Sequence, residues 1–341
     1  MSKFDINYLT DVFSTLGRQL SCPDEELSAI IEDEHYHNAW FTPASVENAV
    51  KALGQMLNKD DLSTWLNRYQ LHPGKAGKKV GLILAGNIPL VGFHDVLCVL
   101  ITGNHALIKA STQDSRLIKY VLNMLVAIAP EFKDQFTFVE RLENFDAVIA
   151  TGSNNSSRYF EYYFSKVPNI IRKNRNSVAV LTGQETAEQL HDLGHDIFDY
   201  YGLGCRNVSK LLVPKDYNFI PFFEAIEPYN LIINHHKYNN NYDYNKSIYL
   251  VNRDKHLDNG FLLVKEDDRM VSPLAVVFYE YYEDLAAAKT LLTKESDNIQ
   301  CIVSQAPLKV NNHVVDFGKS QQPALWDYAD GIDTMDFLTK L

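Results

Sequence analysis

Long hydrophobic runs, paired cysteines and an excess of basic residues are all missing from this chain, and each absence removes a class of function. No apolar stretch approaches the ~20 residues that a membrane-spanning helix needs. The longest, Leu90 to Thr102, is broken by His94 and Asp95. The opening residues MSKFDINYL carry neither a basic start nor an apolar core, so no signal peptide is expected. Cysteine occurs four times, as Cys22, Cys98, Cys205 and Cys301, with no CxxC or paired spacing. That scarcity argues against a disulfide framework or a zinc site and for reduced thiols in a cytoplasmic setting. The net charge of −11 is spread along the chain and lacks the basic footprint of a nucleic-acid binder. It leaves room for a local basic pocket that receives an anionic cofactor.

Familiar nucleotide and metal motifs are missing too. There is no GxGxxG and no GxxxxGK[ST], which disfavours a standard Rossmann dehydrogenase and a P-loop NTPase. His191 and His195 have ligand spacing on a predicted helix, but the glutamate of HExxH and a third ligand are lacking. A solvated helix face is expected there, and no metal site. His235 and His236 have still less claim.

What is present is an ordinary globular balance, 46% hydrophobic and 22% charged, over 341 residues, enough for two domains. Ile6, Leu9, Val12, Phe13, Leu16 and Leu20 recur at helical spacing, and a second helix is expected from Thr42-Pro43 with Val46, Ala49, Val50, Leu53 and Leu57 on its apolar face. His72 to Lys79 reads as a linker. From Val80 onward short apolar runs (80–85, 105–109, 136–139, 147–150, 178–181) alternate with helical stretches (90–101, 114–127, 156–164). This pattern predicts βαβ crossovers and a mainly parallel sheet, whose ligands gather beyond the carboxyl ends of the strands. A helix from Thr186 to about Tyr200 precedes further strands (209–213, 275–279, 299–304) and helices (219–226, 285–292), a second α/β domain. Residues 230–252, rich in Asn, Tyr and His, are expected to form a polar, partly looped insertion.

Four places can carry chemistry. Gly86-Asn87-Ile88-Pro89-Leu90 sits where a strand turns into a helix, with Pro89 suited to a first helical turn. There the Asn87 amide is either an oxyanion donor or a plain turn residue. Lys109, with Ser111 and Thr112 just beyond, ends the next strand and suits a ribose or phosphate, or simply solvent. Thr151-Gly152-Ser153 opens a helix whose N–H groups can receive a phosphate, although ordinary capping needs only one of these residues. Cys205 lies in Tyr-Gly-Leu-Gly-Cys-Arg-Asn, where glycines allow exposure and Arg206 favours a thiolate; the competing reading is a small buried hydrophobe. Cys22, Cys98 and Cys301 fit the buried reading better.

In their order along the chain, Gly86-Asn87-Ile88-Pro89-Leu90, Lys109, Thr151-Gly152-Ser153 and Gly204-Cys205 resemble the aldehyde dehydrogenase superfamily. Residues 177–186 and 202–214 narrow the likeness to the acyl-CoA reductase (LuxC-type) family; it extends from about Val80 to the C-terminus, where residues 315–320 resemble the family's closing Phe-Gly motif, and does not reach the N-terminal helices. The resemblance implies an α/β, aldehyde-dehydrogenase-like fold: two mainly parallel α/β domains with an N-terminal helical segment. The expected division is 1–75 for that segment, 76–200 for nucleotide-cofactor binding, 201–315 for the catalytic domain and 316–341 for a C-terminal return. It also implies Cys205 as nucleophile, Asn87 and the Cys205 N–H as oxyanion donors, Lys109 on the adenosine ribose or its phosphate with Ser111 and Thr112 beside it, and Gly152-Ser153 near the pyrophosphate. A homo-oligomer is implied as well.

Three departures from the superfamily pattern sharpen the expectation. Leu181 stands where hydrolytic relatives carry a glutamate base, so the acyl-enzyme is expected to exchange with CoA rather than water. Arg269 replaces a glutamate that holds the nicotinamide ribose, and Thr112 is neutral where NAD-preferring relatives are acidic. The resulting expectation is reduction of an acyl-CoA, fatty acyl in kind, to an aldehyde with NADPH, NADH being the other possibility. An acyl-phosphate reductase of the semialdehyde type and a non-catalytic acyl-binding partner subunit stay open as alternatives.

Overall fold

The alternation of strands and helices is realised in a computed structural model that describes residues 5–71 and 77–341. The expected linker core, residues 72–76, and the first four residues of the opening segment lie outside the described residues. Two units form: Met1–Asn174 with Pro323–Leu341, and Arg175–Gln322.

In the first unit, the helices α1 (Ile6–Ser21), α2 (Glu25–Asp33), α3 (Pro43–Met56) and α4 (Lys59–Leu66) precede the sheet. Their apolar stripes are aliphatic and regular: Leu9, Val12, Phe13, Leu16 and Leu20 on α1, and Val46, Ala49, Val50 and Leu53 on α3, are buried. Thr42 caps α3, its Oγ1 accepting the Ser45 N–H at 3.4 Å, with Pro43 in the first turn as expected. The sheet strands are β1 (Lys79–Ile83), β2 (His105–Lys109), β3 (Phe136–Phe138), β4 (Ala147–Thr151) and β5 (Asn169–Arg172). Helices α5 (Phe93–Ile101), α6 (Ser115–Ile128) and α7 (Asn154–Phe164) connect them. All four pairings are parallel, in the order β3-β2-β1-β4-β5. The chain therefore reverses direction across the sheet between β1 and β4, which opens a crevice at their carboxyl ends. The returning C-terminal segment joins this unit: the Trp65 indole donates to Tyr328 Oη at 2.7 Å, and Arg172, ion-paired with buried Asp95, donates to Thr334 Oγ1 at 2.9 Å.

The second unit contains α8 (Ala187–Phe198), α9 (Ile220–Ile226), α10 (His236–Asn252) and α11 (Leu285–Lys294). Its strands are β6 (Asn176–Val180), β7 (Val208–Pro214), β8 (Leu257–Asp258), β9 (Leu263–Glu266), β10 (Val276–Tyr282), β11 (Ile299–Val303) and β12 (Val314–Val315). They order as β12-β11-β6-β7-β10-β9-β8, parallel except for β8 against β9.

Several expectations need correction. The division falls at Asn174/Arg175 rather than near residue 200, because β6 pairs with β7 and β11 and so belongs to the second sheet. The N-terminal helices share the first unit's core with β1 and β2, and the return begins at Pro323, not at residue 316. Residues 236–252 form the helix α10 where a partly looped insertion was expected. Its buried stripe, Tyr238, Tyr242, Asn245 and Tyr249, has helical spacing but is built from tyrosine and asparagine. Tyr238 Oη donates to the Phe261 carbonyl at 3.0 Å, Tyr242 Oη to Asp258 at 2.6 Å and Asn245 Nδ2 to the Leu274 carbonyl at 2.8 Å. Cys98 and Cys301 are buried as expected, whereas Cys22 is exposed at the end of α1.

Candidate active site

Cys205 belongs to the second unit, while Asn87, Lys109, Ser111, Thr112, Gly152 and Ser153 belong to the first.

In the second unit, α8 starts at a capping box: Thr186 Oγ1 accepts from Gln189 N, and the Gln189 side chain accepts from Thr186 N. Beyond its end, Tyr200, Tyr201 and Gly202 follow with φ values of 53°, 60° and 77°, three consecutive left-handed residues of which only the glycine is at ease. Cys205 and Arg206 are the central residues of the turn that comes next, closed by the Asn207 N–H on the Gly204 carbonyl at 3.1 Å. Cys205 is half-buried while Gly204 and Asn207 on either side are buried. The thiol therefore stands on a turn at the amino end of β7. It is not a core side chain, and the buried-hydrophobe reading fails for it.

Around the turn, the Asn207 side chain accepts the Gly204 N–H at 2.8 Å and donates to the carbonyls of Asp199 (2.9 Å) and Asp196 (3.1 Å). Ser177 Oγ, on β6, donates to the Cys205 carbonyl at 3.1 Å. Asp196 is fully buried and accepts the N–H groups of Gly318 (2.7 Å) and Ser320 (2.9 Å), which anchors the Phe317-Gly318 segment. Burial pushes its carboxyl up to about 6 despite those donors. None of Asn207, Ser177 and Asp196 stood out in the sequence. Their partners are mostly backbone groups, which leave no residue-type signature.

Leu181 is fully buried, with its carbonyl accepting from Tyr282 Oη at 2.6 Å. Glu185 turns back on the adjoining turn: Oε1 accepts from Thr182 N and Oγ1, and Oε2 accepts from Gly183 N at 3.0 Å. Arg269 forms a two-pronged pair with Asp267, at 2.7 and 2.6 Å, over the Phe278 ring. That pair holds the Asp267 carboxyl down at about 2. His191 and His195 pack on Tyr229, and His195 pairs with Asp199, at 3.2 Å. Among the described residues no group of three His, Cys, Asp or Glu side chains could hold a metal ion.

In the first unit, the segment after β1 does not run straight into a helix. Pro89 lies in a turn, Leu90 adopts φ 59°, and α5 begins only at Phe93. Asn87 is half-buried in this loop. A side chain at Gly86 would bring a Cβ within 2.5 Å of Ser111 Oγ, so the loop lies directly against the residues after β2. Asp114, read in the sequence only as the start of a helix, makes no cap to α6. Its Oδ2 accepts the Leu90 N–H at 2.7 Å, and its Oδ1 has no hydrogen-bond partner. Burial pushes this carboxyl up to about 8.

Lys109 is exposed at the end of β2, its Nζ donating to the Glu140 carbonyl at 3.2 Å. Ser111 Oγ accepts the Gln113 N–H at 3.2 Å, and Thr112 is exposed. Ser153 caps α7, accepting the Ser156 N–H at 3.2 Å, and Gly152 lets the chain pass close to Phe160 and Ser156 of that helix. These residues line the carboxyl ends of β1, β2 and β4, around the reversal in strand order. They bring a cation, hydroxyls and a helix N-terminus, groups that suit the riboses and phosphates of a dinucleotide.

The sequence model of the acyl-CoA reductase (LuxC) family matches residues 18–221, from the first helix to the start of α9. The chain belongs to the acyl-CoA reductase (LuxC) family. Its likeness to that family thus takes in most of the N-terminal helices, which the motif comparison left outside. As a member of that family it is an oxidoreductase. No curated protein matches the chain. Among solved structures, aldehyde dehydrogenase 21 from Physcomitrella patens, in complex with the reaction product succinate, superposes with a TM-score of 0.68 at 12% identity, over 99% of this chain and 85% of that one. Indole-3-acetaldehyde dehydrogenase from P. syringae, solved with NAD+ and IAA, gives 0.66 at 11% identity over 93% and 77%. Lactaldehyde dehydrogenase from Escherichia coli gives 0.65 at 12% identity over 92% and 79%. At these identities the likeness establishes the fold. Among the described residues no helix is long and apolar enough to cross a membrane.

Proposed function

We propose that this family member reduces a fatty acyl-CoA to the aldehyde through an acyl-thioester on Cys205, with NADPH as reductant. The Cys205 thiolate attacks the thioester carbonyl, a new C–S bond forms as the bond to the CoA sulfur breaks, and CoA leaves as its thiolate, which takes a proton from water. Asn87 and the Cys205 N–H stabilise the oxyanion of the tetrahedral intermediate. A nicotinamide dinucleotide, when bound, would supply the hydride that reduces the acyl carbon. The thiohemiacetal on Cys205 then collapses, returning the thiol and releasing the aldehyde. Lys109, Ser111, Thr112, Gly152 and Ser153 hold the dinucleotide; the exposed, neutral Thr112 beside Lys109 favours acceptance of a 2′-phosphate.

The observation that carries this reading is Leu181. A fully buried leucine stands where hydrolytic relatives have their base, so nothing at that position activates water against the acyl-enzyme. A homo-oligomer in a reducing, cytoplasmic setting completes the proposal, in keeping with four cysteines of which none forms a disulfide.

The test is cofactor oxidation with CoA thioesters of increasing chain length, using NADPH and NADH in parallel and an acyl phosphate as comparison. Turnover of long-chain acyl-CoA with NADPH is expected. Turnover of acyl phosphate alone would replace this reading with the semialdehyde type, and no turnover of either would leave a partner subunit.

A further inference from the structure

The turn that presents Cys205 is not one the local chain would hold unaided. Tyr200 and Tyr201 are left-handed, a conformation disfavoured for residues with a Cβ, and they separate α8 from the turn. We propose that Asn207 is a positioning residue for the Cys205 thiol, its carboxamide clamping the nucleophile turn to the end of α8, with Ser177 completing the hold from β6. The inference rests on the reading of Cys205 as nucleophile.

The geometry accounts for the residue type. The carboxamide faces one N–H, that of Gly204, and the carbonyls of Asp199 and Asp196, so it must accept on one side and donate on the other. A flipped amide would set donor against donor. Aspartate could keep the Gly204 contact and would lose the donors to the helix end. The same residue's N–H closes the turn on the Gly204 carbonyl, and its carbonyl accepts the Ser177 N–H at 3.2 Å. Ser177 Oγ then donates to the Cys205 carbonyl. The peptide groups flanking the sulfur-bearing residue are therefore held on both sides, and the holders are 2% and 0% exposed, shielded from competing water. Behind them, Asp196 joins the same frame to the Gly318 and Ser320 N–H groups. A reacting atom held this way gains from orientation, where misplacement of about 1 Å costs roughly 100-fold.

Asn207→Asp, Ser177→Ala and Cys205→Ala are compared with the unaltered protein. The readouts are acyl-CoA reduction, NADPH binding by fluorescence titration, and alkylation of Cys205 by iodoacetamide followed by mass spectrometry across pH. Asn207→Asp should lower kcat about 10- to 100-fold, leave NADPH binding within about twofold, and move the pH midpoint of Cys205 alkylation upward, since a carboxylate beside the turn disfavours the thiolate. Ser177→Ala should slow alkylation in the same direction by a smaller factor, and it decides the matter should Asn207→Asp not fold. Unchanged alkylation and kcat in the folded variants would overturn the positioning role. Full activity in Cys205→Ala would instead overturn the reading beneath it.

Discussion

Glu185 Oε1 accepts both the N–H and the hydroxyl of Thr182, at 2.5 and 2.7 Å, and so closes the turn that follows β6. With Oε2 on the Gly183 N–H, the carboxylate is spent on its own turn. It is the acidic residue that lies nearest in sequence to Leu181, where a water-activating base would be sought. A base must reach the proton it removes, and this one is turned to three local donors.

Glu185→Gln should therefore leave the rate of aldehyde formation within about twofold and leave the ratio of aldehyde to free acid unchanged. It should lower stability by about 1 kcal/mol, through weaker bonds to the turn. Product analysis by chromatography and denaturant unfolding check the two halves. Appearance of acid formation tied to Glu185 would assign it the role of base.

Asn87→Ala should reduce kcat about 100- to 1,000-fold, equivalent to about 2.7–4 kcal/mol, if its amide is an oxyanion donor. NADPH binding should be unaffected. Steady-state kinetics with a saturating acyl-CoA measure the loss. A decrease in cofactor affinity with unchanged kcat would make Asn87 a loop residue only.

Two of the buried carboxyls, Asp114 and Asp196, give stability a defined slope with pH. Burial raises Asp114 from 3.8 to about 8 and Asp196 from 3.8 to about 6. Each acid holds its proton more tightly folded than unfolded, so its contribution is full below pH 3.8 and is lost as pH rises through the folded value. Unfolding temperature should fall between pH 4 and 8 on account of Asp114, and between pH 4 and 6 on account of Asp196. Asp114→Asn keeps an acceptor for the Leu90 N–H and should flatten the first slope; Asp196→Asn should flatten the second. Identical Tm profiles for variant and parent would contradict the shifts.

The parts of the fold that the sequence disclosed are those built from aliphatic periodicity. Helices α1 and α3 show regular stripes, and β2 coincides with its expected range because Ala106, Leu107 and Ile108 form a short buried run. Helix α10 escaped because its buried face is tyrosine and asparagine, residues that count as polar until their hydrogen bonds are seen. Strand β5, only four residues with two polar ones, gave no pattern. At the site, flanking glycines made Cys205 visible even though it stands before a strand, away from the carboxyl ends where ligands were sought. Asp114 read only as the start of a helix, and it instead supports the Asn87 loop. Its partner, the Leu90 N–H, is set by a left-handed turn that no spacing rule announces.

That account of α10 predicts its energetics. Tyr238→Ala should destabilise the protein by about 3–5 kcal/mol, as expected for removal of a buried aromatic ring. Tyr238→Phe keeps the ring and loses the bond to the Phe261 carbonyl, for about 1–3 kcal/mol. Denaturant unfolding of both variants separates ring packing from the hydrogen bond. Losses below about 0.5 kcal/mol in both would mean that the tyrosine stripe does not hold the helix.

The most direct measurement is to mix the protein with a long-chain acyl-CoA in the absence of reductant, quench, and locate the acyl group by mass spectrometry. A hydroxylamine-sensitive acyl-thioester on Cys205, with CoA released in equal amount and no label in Cys205→Ala, is the predicted result. An acyl group on another residue, or release of CoA with free acid and no labelled Cys205, would contradict it.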